Sequence, residues 1–135
     1  MSYAMSAALQ AAVFQQLSGD GGVAALVGGD IYDALPPGTL PGLYITLGAE
    51  TARDASDISG AGAWHDLTVA VVSDAAGFQS AKTVAAAACD ALNDAPLALQ
   101  RGRLVSLRFL KARAKRESGG LRRIDMTFRA RVEDD

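Results

Sequence analysis

The stretch from Trp64 to Leu92 constrains the fold most, because it has the pattern of a strand followed directly by a helix. From Leu67 to Val71 apolar side chains alternate with more polar ones, which is typical of a strand with one buried face. Ser73-Asp74 then breaks the alternation and is suited to the N-cap of a helix. Beyond it, apolar residues recur at intervals of three and four, as on one face of an amphipathic helix. These residues are Phe78, Ala81, Ala85, Ala88 and Leu92.

The part of the chain before this unit predicts two helices, one strand and a long loop. An apolar residue every four positions predicts a first helix over Ser6–Leu17, with Met5, Leu9, Val13 and Leu17 on its buried line. The glycines and Asp20 that follow end it and can cap a short helical turn at 23–27. The segment 41–47 is rich in β-forming residues and predicts a strand. Residues 49–63 lack periodicity, and we predict a mobile loop there.

The C-terminal part predicts a hairpin. Two strands, Leu104–Ala112 and Leu121–Val132, flank a turn with two glycines. In the second strand the apolar positions alternate strictly with polar ones, so that one face is buried and the other is wet. The apolar set is Ile124, Met126, Phe128, Ala130 and Val132. We therefore predict one α+β domain over residues 1–135: a mainly antiparallel sheet of about four strands with helices packed on one face, in the order ααβ(loop)βαββ.

Charge is divided unevenly along the chain. Residues 1–100 contain two basic and ten acidic side chains, a net charge of −8, whereas residues 101–135 contain eleven basic and five acidic ones, a net charge of +6. Opposite surfaces of the domain should therefore differ in electrostatic potential. Head-to-tail association between copies would use such a difference, and so would contact with nucleic acid.

The residues with catalytic or metal-binding chemistry are too few to predict a reaction. His65 and Cys89 are the only histidine and the only cysteine, and no partner at a fixed spacing supports a catalytic triad. We expect His65 to be structural or exposed and Cys89 to be a buried, inert thiol. The glycine clusters lack the lysine and hydroxyl residue of a phosphate-binding loop. Asp54 and Asp57 lack the remaining ligand spacing of a calcium site. We predict no enzyme, cofactor or metal.

Two further observations concern location. No apolar run approaches the length of about 20 residues that a membrane span requires. The N-terminus lacks the basic start and the long apolar stretch of a secretory signal. We therefore expect a protein that is made in a cytoplasm and has no membrane partner.

A set of charged residues is the candidate interface. It combines basic residues of the hairpin with two acidic residues of the predicted loop. Its members are Lys111, Arg113, Arg123, Arg129, Arg131, Asp54 and Asp57. The basic residues fit a solvated sheet face, and they also fit a subunit or neck-protein interface, since arginine is favoured where bidentate contacts to carboxylates form. Direct binding of DNA is less favoured, because no aromatic platform or groove-reading helix accompanies them.

Several segments in order resemble the tail terminator (tail-completion) family of long-tailed phages and gene transfer agents. The resemblance is carried by a tyrosine-aspartate motif, a proline-glycine motif, a strand ending in glycine, and the later strands and helix end. These segments are Asp30–Gly38, Pro41–Gly48, Leu67–Val72, Leu92–Leu97, Leu104–Phe109 and Phe128–Val132. The series extends over nearly the whole chain.

The resemblance implies a structural protein of the particle. Family members form a hexameric ring at the head-proximal end of the tail tube, end tube polymerisation and join the tail to the head connector, while DNA passes through the lumen without sequence recognition. The implied partners are further copies of the chain, the tail tube protein and the connector protein. The implied location is the tail–neck junction, after synthesis in the bacterial cytoplasm.

Three other functions stay open at the level of the sequence. The first is a head–tail connector (neck) protein, and the second is a small nucleic-acid-binding module with a basic face. An enzyme is the least favoured, because no pair of ionisable groups is placed for catalysis. For the ring, we hypothesise that the acidic N-terminal part of one copy meets the Arg129/Arg131 face of the next, and that the loop at 49–63 orders on a tube or neck partner.

Overall fold

The computed structural model describes residues 3–56 and 60–134, which form one sheet with helices packed on it. The helices are α1 (Ser6–Gly19), α2 (Gly21–Val27) and α3 (Gln79–Leu92). The strands are β1 (Ile31–Tyr32), β2 (Leu43–Asp54), β3 (Gly62–Ser73), β4 (Arg103–Arg116) and β5 (Arg122–Glu133), with a short 3-10 turn at Ser118–Gly120. The predicted α+β architecture is confirmed.

The sheet has the strand order β1-β2-β3-β5-β4, so β1 and β4 lie at its two edges. β1 runs parallel to β2, and the other neighbouring pairs are antiparallel. β3 and β5 are paired along their whole length, from Gly62 opposite Glu133 to Ser73 opposite Arg122. The sheet has one strand more than the sequence predicted, because β1 is only two residues long and carries no readable period.

The core lies between the helices and one face of the sheet. The five apolar residues that alternate along β5 are all buried, as predicted, and the residues between them are only partly exposed. α1 buries Leu9, Val13 and Leu17, again as predicted. α3 buries mainly small side chains, including Ala81 and Ala88, which lets its backbone lie close to β3 and β5.

The predicted loop at 49–63 is wrong in its extent. β2 continues to Asp54 and β3 begins at Gly62, and the two strands pair from Glu50 opposite Leu67 to Asp54 opposite Ala63. The register shifts between Leu47 and Glu50, as at a β-bulge. A bulge inverts the alternation of side chains, so the hydrophobic period disappears beyond it. The strand continues nevertheless, because backbone pairing with β3 keeps the small polar residues after the bulge in an extended conformation. Residues 57–59 lie outside the described part of the chain.

The predicted start of the central helix is also wrong. Ser73 is the last residue of β3, where it pairs with both Leu43 and Arg122, and α3 begins only at Gln79. The Ser73 hydroxyl accepts a hydrogen bond from the Ala75 amide at 3.1 Å, so it caps a turn between strand and helix. The other predicted cap is present, because Asp20 accepts a hydrogen bond from the Val23 amide at 2.9 Å at the start of α2.

Candidate functional site

A partly buried polar cluster joins the start of α1 to the β2–β3 hairpin. His65 on β3 is fully buried, and its Nδ1 lies 2.9 Å from Glu50 Oε2 on β2. Ser6 donates a hydrogen bond to Glu50 Oε1 at 2.8 Å, and the Tyr3 hydroxyl also donates to that carboxylate. Burial raises the pKa of Glu50, but the hydrogen bonds from Tyr3, His65 and Ser6 outweigh it, so that the pKa lies below its ordinary value.

This cluster has the geometry of a structural clamp. The Tyr3 ring stacks on His65 with a centroid separation of 6.1 Å, and among the described residues His65 Nε2 has no hydrogen-bond partner. The groups next to Glu50 are a phenol, a hydroxyl and an imidazole that all contact the same carboxylate. Because the carboxylate is occupied by these contacts, the cluster ties the N-terminal helix to the sheet.

The basic residues of β5 are engaged within the chain. Arg129 forms a two-point contact with Asp66, with Nε–Oδ1 at 2.8 Å and Nη2–Oδ2 at 3.0 Å. This pairing lowers the pKa of Asp66 and raises that of Arg129. Arg131 lies over the Trp64 ring at 5.4 Å and donates to the Ala55 carbonyl at 3.0 Å. Arg123 Nε lies 2.8 Å from Asp125 Oδ1.

The other members of the predicted interface set lie apart. Lys111 and Arg113 are exposed on β4, and within the described ranges neither forms an ion pair. Asp54, at the end of β2, is exposed and accepts hydrogen bonds from the Ser56 amide at 3.1 Å and hydroxyl at 2.6 Å. Asp57 lies outside the described residues. The structure therefore divides the predicted set between two strands of the hairpin and the end of β2, and the contact of Arg129 and Arg131 with a neighbouring copy stays a prediction.

β4 is an open edge of the sheet that sequence reasoning missed. The turn after α3 covers this edge near Leu107 and Phe109, since the Phe109 amide donates to Asn93 Oδ1 at 2.8 Å and the Asp94 backbone amide donates to the Leu107 carbonyl at 2.8 Å. From Leu110 to Arg116 no described strand pairs with its outer side. Phe109 and Leu110 are 41% and 43% exposed, which is unusual for such large apolar side chains on a strand.

An apolar groove lies beside this open edge. It has a volume of about 320 Å³ and lies between α3 and the helix-facing side of β4. Its lining consists of four alanines, three larger apolar residues of the hairpin, one thiol and one lysine. The lining residues are Lys82, Ala85, Ala86, Cys89, Phe109, Ala112, Ala114, Ile124 and Met126. The groove is present because small side chains face each other across it and do not fill the space.

Cys89 was expected to be buried and inert, but it is only half-buried and lines the groove. Burial, together with the neighbouring Asp90 carboxylate, raises the pKa of its thiol, so the thiolate form is disfavoured. The expectation of burial failed because α3 is covered by the sheet only along its inner side, and Cys89 lies at the margin of that contact. We define the basic edge as the groove, with Lys82 in its lining, together with Arg116 on the same face of β4.

The opposite edge of the sheet has the contrary charge. β1 is flanked by Asp30 and Asp33, and Leu35 follows with 49% of its surface exposed. Tyr32 donates a hydrogen bond to Asp30 at 2.7 Å, which raises the pKa of Tyr32, and Gln10 donates to Asp33 at 2.7 Å. We define the acidic edge as residues 30–37.

Within residues 3–56 and 60–134, no group of three or more histidine, cysteine, aspartate or glutamate side chains is placed to hold a metal ion. None of the helices described there is long and apolar enough to cross a bilayer.

The two edges define the class of the protein. Open surfaces of opposite charge, both with exposed apolar side chains, are typical of a subunit that acts by assembling with other chains. The model of the family described as "Tail completion protein gp17" matches residues 11–133. The chain belongs to this family and is a structural protein of a phage tail, which confirms the resemblance inferred from the sequence.

Comparison with solved structures agrees with the family. A chain in the structure titled "Virion of native gene transfer agent (GTA) particle" is 59% identical to this chain. The match covers 98% of this chain and 99% of that chain, with a TM-score of 0.93. No curated protein matches the sequence.

Proposed function

We propose that this chain is a tail terminator, which forms a hexameric ring at the head-proximal end of a tail tube, ends polymerisation of the tube and joins the tail to the head connector. The observation that carries the proposal is the match to a gene transfer agent virion chain over 98% of this chain at 59% identity. The tail completion family supports the same role. The protein would be made in the bacterial cytoplasm and incorporated at the tail–neck junction.

The physical basis of the ring is an interface between two different surfaces. A heterologous contact that is repeated by rotation closes into a ring when the rotation angle permits. Such a contact requires two complementary surfaces on each copy. The basic edge and the acidic edge lie at opposite ends of the strand order, which is the arrangement that head-to-tail association needs.

The proposed partners are further copies of the chain, the tail tube protein and the connector protein. DNA would pass through the ring without sequence recognition. The contacts of Arg123 and Arg129 support this assignment over a nucleic-acid-binding module, because guanidinium groups paired with Asp125 and Asp66 offer less free charge to phosphates. The proposed role is structural and includes no enzymatic step.

The test is the length of tails in particles produced with and without this protein, measured by electron microscopy. We expect that cells lacking it produce tubes longer than normal that carry no heads. Tails of normal length that fail to join heads would instead indicate a head–tail connector. Intact, transfer-competent or infectious particles without the protein would contradict both assignments.

A further inference from the structure

We propose that the basic edge of one copy binds the acidic edge of the next, with Leu35 seated in the alanine-lined groove between α3 and β4. The inference rests on the proposed ring, and it specifies the subunit interface by residue. Three independent features carry it: the charge at each edge, the shape and chemistry of the groove, and the position of the two edges in the sheet.

The charges at the two edges are available for contacts between copies. Lys82 and Arg116 are exposed and lie on the groove side of the sheet, since Arg116 is two residues beyond Ala114 of the groove lining. Neither forms an ion pair within the described residues, although Lys82 lies over the Phe78 ring at 5.9 Å. Asp30 and Asp33 accept hydrogen bonds only from neutral groups in that part of the chain.

The apolar side chain at the acidic edge is complementary to the groove at the basic edge. Leu35 is followed by two prolines, which restrict the backbone and hold the side chain in a preorganised position. The groove of about 320 Å³ is lined by apolar side chains, four of them alanine, and by Lys82, so an apolar side chain with acidic neighbours suits it. Leu35, with Asp33 two residues before it, is such a side chain.

The topology makes the contact intermolecular. β1 and β4 are the first and the last strands of the sheet, with three strands between them, so one copy cannot bring its own Leu35 to its own groove. The association is therefore head-to-tail. A tail tube or connector protein in the groove is the competing occupant, and the experiment below separates it from a second copy.

The experiment uses complementary charge reversals in cells that produce particles but lack the native gene. The first variant carries Lys82→Glu and Arg116→Glu, and the second carries Asp30→Lys and Asp33→Lys. Each variant alone juxtaposes like charges at every contact between copies, so we expect tails to overrun their length as they do without the protein. When the four changes are combined in one chain, every contact again pairs opposite charges, and we expect normal tail length. When the two variants are co-expressed, rings in which they alternate also pair opposite charges at every contact, so we expect co-expression to restore tail length as well.

The outcomes are separable. Tails of normal length with either variant alone would overturn the proposed interface. Overlong tails that co-expression does not correct would also overturn it, because the charges would then act on a partner of another kind. If loss of the native protein itself leaves tails normal, the proposed function fails rather than the interface. Thermal melting of each purified variant shows whether it is folded.

A cross-linking measurement tests the seat of Leu35 directly, because Cys89 lines the groove. Leu35→Cys particles treated with a short bis-maleimide should give a ladder of linked copies on a denaturing gel. The matched controls are Leu35→Cys in a Cys89→Ala chain, and Ala98→Cys, which places the new thiol at an exposed site outside both edges. A ladder of equal strength in either control, or no ladder with Leu35→Cys, would contradict this seat.

Discussion

Glu50 shows most directly how a single side chain organises this molecule. It lies on β2, accepts hydrogen bonds from Tyr3 and Ser6, and contacts the buried His65. Since the pKa of Glu50 is lower in the folded chain than its ordinary value, ionised Glu50 favours the folded state at pH values above that ordinary pKa. The contribution disappears as the pH falls through the lowered pKa of the folded state.

Replacement of Glu50 by glutamine tests this linkage. At neutral pH we expect Glu50→Gln to reduce the free energy of unfolding by about 1–3 kcal/mol, because charge-assisted hydrogen bonds are lost beside a buried imidazole. Below the lowered pKa the difference from the unmodified chain should shrink, since both side chains are then uncharged. Thermal or urea unfolding at neutral and at strongly acidic pH measures this difference in the free energy of unfolding. A variant that is as stable as the unmodified chain at neutral pH would contradict the argument, and exposed Asp90→Asn is the control.

The contacts of individual charges were the part that sequence reasoning could not predict. The alternation along β5 correctly put Arg129 and Arg131 on the polar face, but the period does not say which strand lies beside them. β3 lies there, so Asp66 is directly opposite Arg129 and Trp64 is opposite Arg131. Two residues that suggested a free basic surface therefore have partners 63 or more positions earlier in the chain.

At the scale of elements, hydrophobic periodicity predicted the segments whose burial is one-sided. It succeeded for α1 and β5, because each has one face on the core. It failed for β2 beyond Leu47, where a register shift interrupts the alternation, and for β1, which is two residues long. It also could not show that β4 is an edge, because the order of strands follows from pairing rather than from side-chain pattern.

Gly102, which directly precedes β4, tests how closely the chain packs between the end of β5 and Met5, the residue before α1. Its φ is +65°, and a Cβ added there would lie 2.6 Å from Met5 Sδ and would also clash with the Glu133 carbonyl. Gly119 has φ +75° but open space around it. The positive φ costs an alanine about 1–2 kcal/mol at either position, so we expect Gly102→Ala to lose that and an additional amount from the clash.

Urea unfolding of Gly102→Ala and Gly119→Ala measures this difference. Both variants share the backbone penalty, so Gly119→Ala serves as the matched control. Equal stability of the two variants would contradict the expected clash, because the Glu133 backbone and the Met5 side chain would both have to shift at no cost. A larger loss in Gly102→Ala would show that the Glu133 carbonyl and the Met5 side chain are held against Gly102.

At the scale of the whole molecule, the uneven charge of the sequence becomes a difference between two edges of a sheet. The sequence alone predicted surfaces of opposite potential, because residues 1–100 and 101–135 have net charges of −8 and +6. Some of that charge is neutralised inside the chain, as in the contact of Asp66 with Arg129. The charges that remain unpaired at the edges lie beside exposed apolar side chains. The charges give such a surface specificity, and the apolar side chains allow it to bury apolar area on binding.

A ring built from head-to-tail contacts should be sensitive to a subunit with one defective edge. In a mixture with the native chain, Lys82→Glu/Arg116→Glu presents a normal acidic edge and a reversed basic edge, so each variant subunit introduces one repulsive contact wherever it enters. In a hexamer with equal amounts of both chains, about one ring in sixty would contain native subunits only.

We therefore expect the variant to be dominant. When the two chains are co-expressed in graded ratios, the fraction of overlong tails should rise much more steeply than the fraction of variant chain. Electron microscopy measures the tail lengths. Lys111→Glu/Arg113→Glu, which reverses exposed charges on the other face of the same strand, is the control and should act weakly. If the fraction of overlong tails instead increases in proportion to the variant fraction, subunits act singly at the tube end. If both variants are equally dominant, the charge of the whole strand matters more than the groove.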